Sequence, residues 1–161
     1  MYEGFFLCTN KTGCPINIKG PGHLYFLSHD QNLSKLQLQR TQLNQEALEA
    51  IGKLPNLVVL RLRHRSILGF KLCFPGPSFP SLLVLELDLS HTLELLEFER
   101  NATPKLEVLQ ATERCNRHSM EVSGLEFLTS LKEIRLDSGR VKELVQSKLA
   151  GYSNNVTLKM L

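Results

Sequence analysis

A chain of 161 residues with formal net charge +3 and 22% charged residues has room for one domain with a continuous core, and its interleaved acids and bases leave no field of the kind that collects nucleic acid. No apolar run is long enough to span a bilayer, and the opening MYEGFFLC, with four apolar residues and no base before them, makes a poor signal peptide. A soluble, cytoplasmic protein is expected. Leucine is in excess: 32 of them, about twice the ordinary share.

In chain order, the segment 1–28 holds no repeat in register and four of the ten glycines. Two readings of residues 1–30 stay open: a makeshift cap built on Phe5, Phe6, Tyr25, Phe26 and Leu27, or disorder. From residue 31 the spacing L-x-x-L-x-L sets in. Leu33, Leu36 and Leu38 are followed by Leu57, Leu60 and Leu62, then Leu82, Leu85 and Leu87, then Leu106, Leu109 and Ala111, then Leu131, Ile134 and Leu136. The interval between first members alternates between 24 and 25, and a degenerate sixth copy continuing the series would start at Val156 with Leu161 in its last slot. Short leads, LPN (54–56), FPS (79–81), TPK (103–105) and LTS (128–130), precede four of the copies. Each copy ends with period 2, so its last two leucines share one side of an extended strand. One such strand cannot bury that side alone, but strands repeated at this interval stack in parallel and merge their leucines into a column. The expected fold is therefore an α/β leucine-rich-repeat solenoid over residues 31–161, with a curved parallel sheet on the concave side and irregular loops and short helices on the convex side.

Between the strands, Asn44 is placed to cap a helix over 45–53 with Ala47, Leu48 and Ile51 on one face, stopped by Pro55. GFKLCFPGPS (69–78) and LEFERNA (96–102) carry prolines or alternate too strongly for helix, and are expected as loops with short extended pieces. RVKELVQSKLA (140–150) is the clearest helix, with Val141, Leu144, Val145, Lys148 and Leu149 at helical spacing and Gly151 at the C-cap. In regular repeats an asparagine stands three positions after the last leucine; here the slots hold Thr41, Arg65, Ser90, Arg114 and Gly139. Without that ladder the turns should differ in path.

The runs LEAIGKLPNLVVLRLRHRSILGFKLCF (48–74), FPSLLVLEL (79–87), LEFERNATPKLEVL (96–109) and SGLEFLTSLKEI (123–134) resemble the C-terminal leucine-rich repeats of plant intracellular receptors of the coiled-coil, nucleotide-binding class, the monocot type in particular. The resemblance implies a protein-recognition module for defence, without enzyme activity or cofactor, whose partner is a pathogen effector or the nucleotide-binding domain of an intact receptor. No G-x-x-x-x-G-K-[ST] phosphate loop accompanies it. The chain then reads as a receptor fragment or a truncated product, the latter acting as a decoy or having no activity. A substrate-recruiting repeat of a ubiquitin ligase is a third reading, for which residues 1–28 lack an F-box-like helix.

Chemistry has little to stand on. Cys8, Cys14, Cys73 and Cys115 form no tight pair and read as reduced thiols. Cys115-x-x-His118 is half a metal site by spacing, short of the three or four ligands zinc needs, and His64, His91 and His118 fall at different repeat positions. Asn10, Asn32, Asn101 and Asn155 begin N-x-[ST] sequons, read as coincidence in a chain with no entry signal. No nucleophile with an adjacent base appears.

What remains is a surface. If the repeat leucines point inward, the residues between them face the concave side: Lys35, Gln37 and Gln39; Val59, Arg61 and Arg63; Val84, Glu86 and Asp88; Val108, Gln110 and Thr112; Glu133, Arg135 and Asp137. Arg61 is expected to pair with Glu86 and Arg63 with Asp88 across neighbouring strands, each exposed pair worth under about 1 kcal/mol. Val59, Val84 and Val108 form an apolar row beside the charges. A rigid array of this kind suits a protein partner at little entropic cost.

Overall fold

A strand that alternates leucine with polar residues hides its leucines only beside neighbours with the same alternation, and the chain supplies such neighbours at each repeat. The structure, a computed structural model, describes residues 5–10, 15–19, 31–89, 93–113, 121–137, 139–149 and 155–161. In chain order the elements are β1 (Phe5–Asn10), β2 (Pro15–Lys19), β3 (Leu33–Gln39), helix α1 (Gln45–Gly52), β4 (Val59–Arg63), β5 (Lys71–Phe74), β6 (Val84–Leu89), β7 (Leu95–Phe98), β8 (Val108–Glu113), β9 (Glu121–Ser123), a 3-10 turn (Leu125–Phe127), β10 (Glu133–Leu136), helix α2 (Gly139–Leu149) and β11 (Thr157–Met160). Eight strands form one sheet in the order β11-β10-β8-β6-β4-β3-β1-β2. From β3 to β11 every pairing is parallel.

The register follows the leucines. Leu36, Leu60, Leu85, Leu109 and Ile134 stand opposite one another in succession, and so do Leu38, Leu62, Leu87, Ala111 and Leu136. All are buried, as are the first leucines of each copy, Leu33, Leu57, Leu82, Leu106 and Leu131. The leads add a further buried set, Leu54, Phe79, Thr103 and Leu128. Thr103 is the polar member, and its Oγ1 has no hydrogen-bond partner.

The sixth copy is present but one position out of the expected register. Leu158 pairs with Ile134 and Met160 with Leu136, whereas the expected start at Val156 puts Lys159 opposite Ile134 and Leu161 opposite Leu136. Faces alternate residue by residue, so the expected register would have turned Lys159 into the leucine column and Leu158 away from it. The observed pairing packs Leu158 against the core and leaves Met160 and Leu161 exposed.

At the other end β1 and β2 pair antiparallel, and β1 lies antiparallel to β3, with Phe6 opposite Leu38 and Cys8 opposite Leu36. Tyr25, Phe26 and Leu27 lie outside the described residues.

On the far side of the core, the two segments expected as loops with extended pieces supply β5 and most of β7, and with β9, for which no element was expected, they form a second sheet, β5-β7-β9, parallel throughout. Leu72 and Phe74, Leu96 and Phe98, and Val122 turn inward. Phe74 stacks on Phe98 at 5.0 Å between ring centroids and meets Phe79 at 5.4 Å, tilted. This second sheet is more regular than the sequence implied because such short strands carry too little alternation to be told from loop, while repetition lets them share backbone hydrogen bonds.

The free edge of β5 is clamped. Gln45 Nε2 donates to the Cys73 carbonyl at 2.8 Å, and Gln45 Oε1 accepts from the Cys73 amide at 3.3 Å, which occupies the groups that another strand would otherwise recruit. Gly124, with φ of +78°, approaches β7 so closely that a Cβ there would lie 1.8 Å from the Phe98 carbonyl oxygen.

Helix α1 begins as expected: Asn44 Oδ1 accepts from the Ala47 amide at 2.9 Å, and Leu48 and Ile51 are buried. In α2, Val145 is buried and Leu149 packs on the core. Lys148 is exposed, since a lysine at helical spacing still keeps its ammonium in water. Gly151 lies outside the described residues.

The turns differ as the missing asparagines imply. After β3, Arg40 and Gln42 both take positive φ; after β4, Arg65 does. Thr41 stands in for asparagine by donating its hydroxyl to the Ser66 carbonyl at 3.2 Å. Ser90 and Arg114 lie outside the described residues.

Candidate protein-binding face

Because the leucine columns occupy one side of the eight-stranded sheet, the alternate residues emerge on the other side as rows across the strands. Register places Lys35, Val59, Val84, Val108 and Glu133 in one row and Gln37, Arg61, Glu86, Gln110 and Arg135 in the next. Gln39 stands opposite Arg63, and Asp88 opposite Thr112. The three valines are half-buried, as are Gln37, Arg61, Arg63, Glu86, Gln110, Glu133 and Arg135. Asp137 follows the end of β10 and is exposed.

The charges sort into two clusters of one kind. Arg61 Nε donates to Glu86 Oε1 at 2.9 Å, and Arg63 donates to the other oxygen of the same carboxylate. On β10 and β11, Arg135 Nε donates to Glu133, whose second oxygen accepts from Lys159 Nζ at 3.0 Å. Arg135 first and Lys159 second hold the Glu133 carboxyl below its ordinary value. Lys159 joins the face only because of the shifted register of β11, so the repeat spacing alone did not identify it.

The expected pair Arg63–Asp88 does not form. Asp88 is buried and its Oδ2 accepts from the His64 backbone amide at 3.1 Å, holding the turn after β4 from the neighbouring strand. An amide at a strand end competes well for a carboxylate already out of water, and Glu86 has a second oxygen free for Arg63. Thr112 likewise turns to the backbone, donating to the Leu87 carbonyl at 3.3 Å.

On the second sheet, Lys71 and Glu97 pair at 2.7 Å. The buried Cys73 thiol beside them is pushed up to about 11, by burial first and then by the carboxylates of Glu97 and Glu99. A thiol so placed is a poor nucleophile at neutral pH. Among the described residues no three His, Cys, Asp or Glu side chains converge as metal ligands. Cys14, His91, Cys115 and His118 lie outside them. No helix among the described residues is long and apolar enough to cross a membrane.

Comparison with known proteins agrees with this architecture. Over 95 residues, 59% of the chain, it is 27% identical to disease resistance protein RPP8 of Arabidopsis thaliana, and the match spans 10% of that protein's length. No solved structure matches the chain. The leucine-rich repeat region family matches residues 25–150, the stretch that holds strands β3 to β10. The chain belongs to the leucine-rich repeat region family.

Proposed function

We propose that the chain is a protein-recognition module of a plant intracellular immune receptor, of the C-terminal, monocot-type repeat class, acting in the cytoplasm without enzyme activity or cofactor. The partner is a protein, either a pathogen effector or the nucleotide-binding domain of an intact receptor. The observation that carries this reading is the outward face of the eight-stranded sheet, where the Val59, Val84 and Val108 row runs beside paired charges in a register fixed by the backbone. A partner meeting such a face finds side chains already ordered, so little conformational entropy is lost on binding. The likeness to a disease resistance protein supports the defence context. Of residues 1–30, the β1 and β2 pair serves as the cap, because it satisfies the β3 edge that would otherwise stand open.

The test is site-specific photocrosslinking in plant cells, with a benzophenone side chain at position 84 on the outward face or at position 95 on the second sheet. A discrete protein adduct is expected from position 84, and it should disappear with Arg61→Glu and Arg63→Glu together. Adducts from position 95 alone would refute the reading.

A further inference from the structure

The outward face, on whose reading as a protein-binding surface this inference rests, carries its charge in two copies of one device. In each copy a glutamate lies beneath two cations. The Glu86 side chain is 13% exposed under Arg61 and Arg63, each 39% exposed; the Glu133 side chain is 17% exposed under Arg135 at 39% and Lys159 at 56%. Three charges sum to one positive, and the positive groups are the ones water reaches. Arg61 and Arg135 each engage their glutamate through Nε, which leaves both terminal amino groups of each guanidinium as a fork for another carboxylate. Between the clusters, β8 places the uncharged Val108 and Gln110 in the two rows, with the valine row alongside.

The neighbouring acids do not cancel this pattern. Asp88 is buried against the His64 amide, and Glu107 pairs with Lys132 at 2.7 Å. Asp137 stands exposed after the end of β10 and has an interaction partner of its own.

We propose that this face takes an extended acidic segment of the partner, with one carboxylate on the Arg61 and Arg63 cluster, a second on the Arg135 and Lys159 cluster, and between them an aliphatic side chain flanked by the valine row. The spacing is set by the sheet. β4 and β10 are three strand intervals apart, about 14 Å at about 4.8 Å each. A segment crossing the strands advances about 3.4 Å per residue and shows alternate side chains to one side, so carboxylates four positions apart, with the aliphatic residue midway, meet both clusters at once. Nucleic acid is anionic too, but the valine row offers it nothing and the net charge of +3 supplies little attraction.

The probe is a fluorescein-labelled, end-blocked peptide with the core Glu-Thr-Val-Thr-Glu, followed by fluorescence anisotropy with the full chain. The comparisons are a Glu-Val-Glu core, a core with lysine for glutamate, and an oligouridylate of similar charge. The wider glutamate spacing is expected to bind tightest, to weaken about tenfold with Arg61→Gln or Arg135→Gln, and to be partly restored with Arg61→Lys, which keeps the charge and loses the fork. Circular-dichroism melts of the variants confirm folding. Equal binding of the lysine core, indifference to spacing, or oligouridylate binding with the same dependence on Arg61 and Arg135 would overturn the proposal. Should the peptide fail while position 84 still crosslinks a protein, the acidic-segment chemistry falls and the binding face stands.

Discussion

Adjacent residues on β6 should differ sharply in what they contribute to stability, since Leu85 and Val84 lie on opposite sides of the sheet. Leu85 is fully buried and stands in register between Leu60 and Leu109. Leu85→Ala removes three carbons, about 2.4 kcal/mol of transfer free energy at about 0.8 kcal/mol per carbon. Both neighbours are held by parallel ladders and cannot collapse into the space, so a cavity contribution brings the loss to about 3–5 kcal/mol. Val84→Ala removes two carbons from a half-buried position and should cost under about 1 kcal/mol. The chain has no tryptophan, so urea unfolding followed by far-ultraviolet circular dichroism is the suitable assay, with a lower midpoint at unchanged slope reporting a true stability change. Equal losses, or a larger loss at Val84, would mean that the strand is turned over, and both the core and the outward face would be wrongly assigned.

Local features give further expected outcomes. Gly124→Ala places a Cβ 1.8 Å from the Phe98 carbonyl at a backbone with φ of +78°; a loss of more than about 2 kcal/mol is expected, measured by the same unfolding assay. Thr103→Val removes a buried hydroxyl with no partner and should raise stability by about 1 kcal/mol, whereas a loss would reveal an unseen hydrogen bond. Cys73 keeps its proton to about pH 11 in the folded chain, against an ordinary 9.0. The unfolded thiol ionises first, so its contribution to stability is full below about pH 9 and is lost as pH rises from there to about 11, and Cys73→Ser should flatten that part of the pH profile. Glu133 has the opposite sign. Its folded value lies below the ordinary 4.5, so its pairing with Arg135 and Lys159 stabilises fully above that pH and weakens with acidification, a dependence that Glu133→Gln should remove.

Much of the main sheet was legible because its signal is repeated. The near-constant interval from Leu33 to Leu57, Leu82, Leu106 and Leu131 states the stacking, and period 2 within each copy states which residues face out. The helix at Asn44 was legible from a cap and an apolar face, both local features. What escaped had either a short signal or a competing partner. β5, β7 and β9 are brief, and the prolines and glycine that follow Phe74 resemble loop more than strand. β11 lacks a third leucine to fix its register, so a repeat interval of 25 overshoots its observed pairing by one position. By position Asp88 suits Arg63, while the His64 amide, which no sequence pattern displays, takes it. The β1 and β2 pair joins the sheet antiparallel, so its contacts bear no relation to the repeat interval.

Stacked parallel strands with one leucine side and one patterned side underlie both the core and the binding face. A methyl-resolved nuclear Overhauser experiment on the chain, labelled at leucine, isoleucine and valine, examines that directly. One connected series is expected through Val59, Val84 and Val108 and a separate one through Leu60, Leu85, Leu109 and Ile134, with Leu158 joining the second. Cross-peaks that tie Val84 to Leu60 or Leu109, or that place Leu161 in the leucine series in place of Leu158, would contradict it.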